Sequence, residues 1–233
     1  MKSNTVKYHG LLLAWHWLAL VGLVLLGWIG YRHFSGLPWV EVRVYADCQQ
    51  VTKDELKRLV VSQLQRGMIG DSLTGLKQEL VGNPWVKWLR ITRSWPGVLQ
   101  IDITERQPVA IWLDKELVDG DDQRISIAFA KQPLPILPHL VGSEQRFKYV
   151  LETYKKLLPM LSKQNWQITN MEWHRGDYWK IRLAIGTELF FIDKNLTQQF
   201  ARFIALYPQI LQQQGDIPQY IDFRYNNGNF AVK

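Results

Sequence analysis

The sequence is poor in the residues that form disulfides, metal sites and catalytic centres. It contains one cysteine, Cys48, and five histidines scattered along 233 residues. A lone cysteine cannot form a disulfide within the chain, so a hydrophobic core has to hold the fold. No His or Cys pair has zinc-site spacing, and no phosphate-binding loop or nucleophile elbow is present. Nothing in these residues argues for an enzyme, a cofactor or a metal ion, and none is predicted.

The sequence also lacks a block of like charges. The net charge is +7, to which residues 1–40 contribute three basic residues and no acidic ones. In the rest of the chain Lys and Arg are interleaved with Asp and Glu. Such interleaving is typical of a solvated surface and not of a nucleic-acid-binding one. The sequence therefore argues against a nucleic-acid partner.

Charged residues are missing altogether between Lys7 and Arg32. As a helix, the segment LLLAWHWLALVGLVLLGWIG would span roughly 30 Å, the thickness of a bilayer's hydrocarbon core. A cleaved signal peptide has a shorter apolar core, of about 7–15 residues, and small residues after it, whereas the bulky YRHFSGLPW follows here. We therefore predict a transmembrane helix over residues 11–31 and a short cytoplasmic tail over residues 1–10. Lys2 and Lys7 precede this helix, and Arg32 is the only basic residue close behind it. By the positive-inside rule, the N-terminus lies in the cytoplasm and the bulk of the chain on the other side of the membrane, which in a bacterial cell means the periplasm.

The segment after the predicted membrane helix alternates between strand and helix patterns. LPWVEVRVYA has the period-two alternation of a strand, and Thr52 with Glu55 forms a capping box at the start of a helix. A shorter helix pattern covers residues 72–84, and two strands then flank the turn signal Pro96-Gly97. The order predicts a three-stranded sheet with both helices on one face. Three residues of the last strand are expected to face those helices: Leu99, Ile101 and Ile103.

The remainder of the chain is predicted to form a second domain of short strands and two helices. Short strand patterns precede an irregular, proline-rich connector over residues 131–144, and Ser143 is a candidate cap for the helix that follows. Three strands, a helix and a terminal hairpin complete this domain, in segments 166–175, 178–185, 188–193, 195–211 and 220–233. The fold class is therefore α+β: a β-α-α-β-β domain followed by a mixed β domain with two helices.

The acidic residues Asp102 and Glu105, beside Arg106, allow two interpretations. Carboxylates at a strand end can act as a catalytic acid and base. Their odd spacing, however, points them to opposite faces of a regular strand, so a structural pairing at the strand end is favoured. The many tryptophans could stack on sugars, but at strand spacing we favour core and hairpin packing.

Four stretches of the sequence resemble the FtsQ/DivIB family of bacterial cell-division proteins. After a single N-terminal anchor they follow in this order: NPWVKWLRITRSWPGVLQIDITERQPVAIW (83–112), PILPHLVGSE (135–144), ARFIALYPQILQQQ (201–214) and YIDFRYNNG (220–228). The resemblance implies a POTRA domain over residues 37–107 and a partner-binding β domain over residues 108–233. It also implies a single-pass inner-membrane protein, enriched at the division septum, that acts as a scaffold without a small-molecule substrate.

The same resemblance implies the partners and the residues that meet them. FtsB and FtsL would bind the β domain, while the POTRA domain and the membrane helix would contact other divisome proteins. The terminal hairpin would leave a free sheet edge, which can accept a strand from a partner. The partner-binding residues implied are Arg175, Arg224, Tyr225, Gly228, Asn229 and Phe230. Two other functions stay open: a POTRA-type chaperone or translocation module, and a cell-wall enzyme.

Overall fold

The computed structural model describes residues 17–30, 41–46, 48–65, 71–94, 98–225 and 230–233. The chain divides into two compact units, Met1–Glu105 and Arg106–Lys233. Each unit has its own β-sheet, of three strands in the first and nine in the second.

The first described segment, residues 17–30, is a helix (α1). Its large apolar side chains are exposed, from 50% for Leu25 to 73% for Leu23. Within the described residues, no helix combines the length and the hydropathy of a bilayer span. The predicted transmembrane helix over residues 11–31 extends beyond the described segment on both sides, and it stays a prediction.

The rest of the N-terminal unit has the order that the sequence predicts. Its elements are β1 (Glu41–Ala46), α2 (Lys53–Gln65), α3 (Asp71–Gly82), β2 (Val86–Ser94) and β3 (Val98–Glu105). The strands lie side by side in the order β1-β3-β2, with β1 parallel to β3 and β2 antiparallel to it. The predicted β-α-α-β-β arrangement is therefore confirmed, although the turn signal Pro96-Gly97 lies outside the described residues.

Local sequence signals explain how this unit forms. The Thr52 hydroxyl accepts a hydrogen bond from the Glu55 backbone N–H at 3.3 Å, which caps the first turn of α2. Alternation along β3 buries its core-facing residues, and both helices bury leucines at helical spacing. The buried apolar residues include Leu56, Val60, Leu76, Leu80, Leu99, Ile101 and Ile103. The expected burial of the β3 residues is thus confirmed.

The second unit is built on a nine-stranded mixed sheet. Its strands are β4 (Pro108–Trp112), β5 (Glu116–Asp119), β6 (Arg124–Ser126), β7 (His139–Val141), β8 (Ile168–His174), β9 (Tyr178–Leu183), β10 (Glu188–Ile192), β11 (Tyr220–Asp222) and β12 (Ala231–Val232). They lie in the order β12-β11-β10-β9-β8-β7-β4-β5-β6. The two helices are α4 (Phe147–Ser162) and α5 (Leu196–Gln214). Together with the first unit, this gives the α+β fold that the sequence predicts.

One face of the large sheet packs against α4 and α5, and the other is polar. Because strands alternate, Trp179 and Ile181 of β9 and Phe191 of β10 point into the core with the helix residues Phe200 and Phe203. The intervening residues of β9 and β10 form the opposite face and meet across the strands as Phe190 with Lys180 and Glu188 with Arg182. Asp222 of β11, which pairs with Phe190, lies on this second face.

Three details of the second unit differ from the predictions. The predicted connector contains β7, which pairs in parallel with both β4 and β8. The segment RISIAFA (124–130) has a strand pattern, but the strand stops at Ser126, and Ile127–Phe129 forms a 3-10 turn. Ser143 precedes a 3-10 turn at Glu144–Arg146, and its side chain makes no capping hydrogen bond. The strand β7 was missed because a three-residue strand is too short to show a period, and its pairing depends on distant strands.

Candidate functional site

The outer edge of the nine-stranded sheet is formed by β12. Its residues pair with β11 as Ala231 with Asp222 and Val232 with Ile221. Beyond them, Lys233 and Tyr220 exchange two backbone hydrogen bonds, of 3.1 and 3.2 Å. In an antiparallel pair, hydrogen-bonded and non-hydrogen-bonded residues alternate. The backbone N–H and C=O of Val232 therefore point away from β11, and no strand among the described residues lies on that side.

The side chain of Phe230 holds this edge against the core. Its ring stacks on Phe223 with 5.4 Å between centroids, and Phe223 in turn stacks on Phe191 at 5.3 Å. Phe230 was predicted as a partner-binding residue, but the structure places its side chain on the helix side of the sheet. Gly228 and Asn229, the neighbouring predicted residues, lie outside the described residues.

Arg224 is fixed immediately after β11 by ionic and aromatic contacts. Its guanidinium donates to both carboxylate oxygens of Asp222, at 2.9 and 2.6 Å, and the Arg224 backbone N–H donates to the same carboxylate at 2.9 Å. The guanidinium also lies over the rings of Tyr178 and Phe190, 5.2 and 5.1 Å from their centroids. A stacked and paired arginine of this kind loses little side-chain freedom on binding.

The ionisation of the Arg224–Asp222 pair follows from this contact. Partial burial raises the pKa of Asp222, but the hydrogen bonds from Arg224 outweigh it and hold that pKa below its ordinary value. The hydrogen bond to Asp222 raises the pKa of Arg224. Both groups are therefore charged at neutral pH, and the pair stays formed.

Tyr225 follows Arg224 and projects into solvent. It is 56% exposed. No ring contact or hydrogen bond of its side chain is recorded among the described residues. Tyrosine combines a large apolar ring with a polar hydroxyl at a low entropy cost, so an exposed tyrosine is a typical interface anchor.

Arg175 lies at the tip of the β8–β9 hairpin, at the same end of the sheet as Arg224. The turn is made by Gly176 and Asp177, both at positive φ (113° and 54°). Next to Arg175, His174 stacks on Tyr178 with 4.7 Å between ring centroids, and Tyr178 is the ring that Arg224 covers. The fold thus places Arg175, Arg224 and Tyr225 at the same end of the sheet, with β9, β10 and β11 between β8 and β12.

Sequence reasoning missed the side chains that position Arg224. Asp222, Tyr178 and Phe190 all lie on the polar face of the sheet, and the alternation along each strand was visible in the sequence. Their proximity was not visible, because β10 and β11 are neighbours in the sheet although the whole of α5 separates them in the sequence. Neighbouring strands of this kind cannot be deduced from local patterns.

The Asp102, Glu105 and Arg106 cluster does not form a joint site. The Glu105 carboxylate is buried and accepts hydrogen bonds from the backbone N–H groups of Gln49, Gln50 and Val51, at 2.6, 2.7 and 2.8 Å. Asp102 accepts from the Gln100 amide at 3.1 Å, and Arg106 pairs with Asp119 at 2.7 Å. Each group has its own structural partner. Across the described residues, no group of three or more potential ligands could hold a metal ion.

A hydrogen-bonded cluster around Asp193 ties α4 to the end of β10. The Asp193 carboxylate accepts from the Tyr149 hydroxyl at 2.5 Å and from the Trp179 indole N–H at 2.6 Å. Burial, and then the hydrogen bond to Asp193, raises the pKa of Tyr149 to about 12. Because the folded-state pKa is raised, the stabilisation is complete below pH 10.0, the ordinary value, and is lost as the pH rises through about 12.

This gives a prediction for alkaline titration. We expect the ultraviolet difference spectrum between the wild-type protein and Tyr149→Phe to report a phenol that ionises near pH 12. Asp193→Asn removes the acceptor's negative charge, so it should lower this midpoint, while Asp177→Asn, in the nearby turn, should change it less. A midpoint that stays the same in Asp193→Asn would contradict the assigned hydrogen bond.

Comparison with known proteins agrees with this two-unit architecture. Residues 37–106 match the family model for the FtsQ-type POTRA domain, and residues 110–224 match the model for the C-terminal region of cell division protein FtsQ/DivIB. Similar proteins include cell division protein FtsQ of Coxiella burnetii, 28% identical over 91% of this chain and 86% of that protein. FtsQ of Escherichia coli is 26% identical, over 97% of this chain and 84% of that protein. With both of its units matched in order, the chain belongs to the FtsQ/DivIB family.

Proposed function

We propose that this protein is a non-catalytic scaffold of the bacterial cell-division machinery that binds FtsB, and with it FtsL, at the β12 edge. The observation that carries the proposal is the outward direction of the Val232 backbone groups at an edge with no neighbouring strand among the described residues. Its relatives are named cell division proteins, which supports a role in the divisome. An extended partner segment adds to β12 and completes the hydrogen bonds of the edge.

Arg224 and Tyr225 give this strand addition its specificity. Backbone hydrogen bonds at a sheet edge are much the same for every partner, so side chains beside the edge select the partner. The Arg224 guanidinium is held by Asp222 and two rings before the partner arrives. Tyr225 supplies an exposed ring next to it. Arg175, at the tip of the β8–β9 hairpin, adds a charged contact with the partner.

The remaining segments give the scaffold its location. We propose that residues 11–31 anchor the chain in the inner membrane, with residues 1–10 in the cytoplasm and the two domains, 37–107 and 108–233, in the periplasm at the septum. The exposed apolar side chains of α1 support this, because apolar surface on this scale needs a covering medium. The POTRA domain and the anchor connect to other divisome proteins.

The proposal predicts that two substitutions beside the edge weaken binding of FtsB. Tyr225→Ala removes an exposed ring and Arg224→Glu reverses a preorganised charge. Each should raise the dissociation constant for the periplasmic part of FtsB at least about tenfold, or about 1.4 kcal/mol. Titration calorimetry measures this, with circular dichroism as a check that the fold is intact.

Phe129→Ala is a matched control. Phe129 is an aromatic residue of similar exposure, 53%. It follows β6, the strand at the edge of the sheet opposite β12. It should leave the affinity unchanged. Unchanged affinity in both edge variants would refute the site. In dividing cells, a fluorescent fusion should form midcell rings, and an even distribution around the envelope would count against the scaffold.

A further inference from the structure

Arg146 is a second arginine that aromatic rings hold in place. It lies at the end of the 3-10 turn Glu144–Arg146, directly before α4, and is exposed. Its guanidinium lies 5.4 Å from the centroid of the Tyr149 ring and 5.1 Å from that of the Trp173 ring. Tyr149 is itself fixed by its hydrogen bond to Asp193. The position of this cation is therefore largely set before any partner binds.

The ionic contacts of Arg146 differ from those of four other arginines around the sheet. Four arginines of the second unit each bind an acidic side chain: Arg106, Arg124, Arg182 and Arg224. For Arg146, the described residues provide ring contacts but no carboxylate within ion-pair distance. Stacking covers the faces of a guanidinium and leaves the N–H groups at its rim available, and these fit a carboxylate in a planar, two-bond arrangement.

Arg146 and Arg224 lie on opposite sides of the β8–β9 hairpin. Trp173 and His174 are neighbours on β8, so they point to opposite faces of the sheet. Arg146 stacks on Trp173, whereas His174 stacks on Tyr178, the ring beneath Arg224. With Arg175 at its tip, the hairpin has arginines on both faces and at its end. The acidic residues near the hairpin include Asp177 in the turn, Glu172 beside His174, and Asp193, which accepts a hydrogen bond from the Tyr149 hydroxyl.

We propose that Arg146 is a further anchor for the partner that adds a strand to β12, and that it binds a carboxylate in an acidic segment flanking that strand. This inference rests on the proposed function. An added strand is five strand spacings from β8 in the sheet order, or roughly 24 Å at about 4.8 Å per spacing. The flanking segment needs about seven extended residues, or about sixteen helical ones, to cover that distance. The acidic residue therefore lies outside the strand-forming segment of the partner.

The experiment measures the affinity of the full chain for the periplasmic part of FtsB at low and high salt. Arg146→Gln keeps a polar, hydrogen-bonding side chain, although a shorter one, and removes the charge. We expect an affinity loss of about tenfold at about 50 mM salt that largely disappears at about 300 mM. Lys148→Gln removes an exposed charge two residues away that is not stacked on any described ring, and should have little effect. Arg146→Lys keeps the charge without the planar fork and should bind with intermediate affinity.

Charge reversal identifies the contacting residue. Arg146→Glu should weaken binding more than Arg146→Gln does. Replacing the acidic partner residue by lysine should restore the affinity of this variant, and only for acidic residues about seven or more positions from the strand-forming segment.

The outcomes separate this inference from the proposed function. If Tyr225→Ala weakens binding and Arg146→Gln does not, the Arg146 anchor is wrong and the edge proposal stands. If none of these variants changes the affinity, the edge proposal fails and the anchor with it. If Arg146→Gln leaves FtsB binding unchanged but weakens binding to phosphatidylglycerol vesicles, the ligand is a lipid headgroup, and the partner assignment is overturned.

Discussion

Val232→Pro is expected to abolish strand addition at β12 and to weaken binding of FtsB about a hundredfold, or about 3 kcal/mol. Tyr220 and Lys233 bond to each other, so the Val232 N–H faces outward, where a partner strand would approach. Proline removes this donor. Its ring also projects into the space that an added strand would occupy, about 4.8 Å from β12. The bonds between β11 and β12 do not use the Val232 N–H, so the edge itself should remain folded.

The control for this prediction is Val232→Ala. The Val232 side chain packs against the core, so both substitutions lose part of that packing. Only the proline variant loses the outward N–H. Titration calorimetry should therefore show near wild-type affinity for Val232→Ala and a large loss for Val232→Pro. Equal affinities in these two variants would mean that the partner does not pair with β12.

The second large effect is expected in the N-terminal unit, from Glu105→Gln. The buried Glu105 carboxylate accepts three backbone N–H groups, from residues 49–51, which fixes the segment that leads into α2. A glutamine offers one acceptor oxygen and turns an NH₂ group toward N–H donors. Hydrogen bonds to a charged group contribute about 1.5–3 kcal/mol each, and buried donors left unpaired add a penalty. We expect the free energy of unfolding of this unit to fall by about 3 kcal/mol.

Hydrogen exchange on the full chain can locate this effect. Amides of residues 48–65 should exchange faster in Glu105→Gln, while those of the second unit should not change. Asp102→Asn is the control. It neutralises a carboxylate three positions earlier on the same strand, and this carboxylate accepts a hydrogen bond from the Gln100 amide. Equal exchange in the two variants would show that Glu105 does not fix this segment.

Glu105 also shows how far the sequence alone leads in the N-terminal unit. The alternation of β3 predicts the burial of Leu99 and Ile101, because a strand's period is a local property. The odd spacing of Asp102 and Glu105 correctly separates them onto two faces. The acceptor role of Glu105 was out of reach, because its donors lie 54 to 56 residues earlier.

The candidate site shows the same limit. Arg224 and Tyr225 were predicted from the resemblance to a family, and the structure shows how Asp222 fixes Arg224. Phe230 was also predicted as a partner-binding residue, and this stays a prediction; its ring packs against Phe223, because alternation at the edge turns it toward the helices. Arg146 was missed because one of the rings that hold it, Trp173, is on a strand that follows the whole of α4.

The shortness of β7 has a mechanical consequence. β7 has three residues and shares two residue pairs with β4, which is where the chain enters the second unit. The edge strand β12 lies on the far side of β7 in the sheet. A pulling force that a partner applies at β12 therefore reaches β4 by two routes, through the backbone hydrogen bonds of β7 and through the packing of α4, whose Phe147 contacts Trp112 of β4. Few backbone hydrogen bonds join β7 to β4, so under tension these two strands should separate first, once the packing of α4 against the sheet is lost. The strength of the assembly under tension is then set by residues remote from the bound partner.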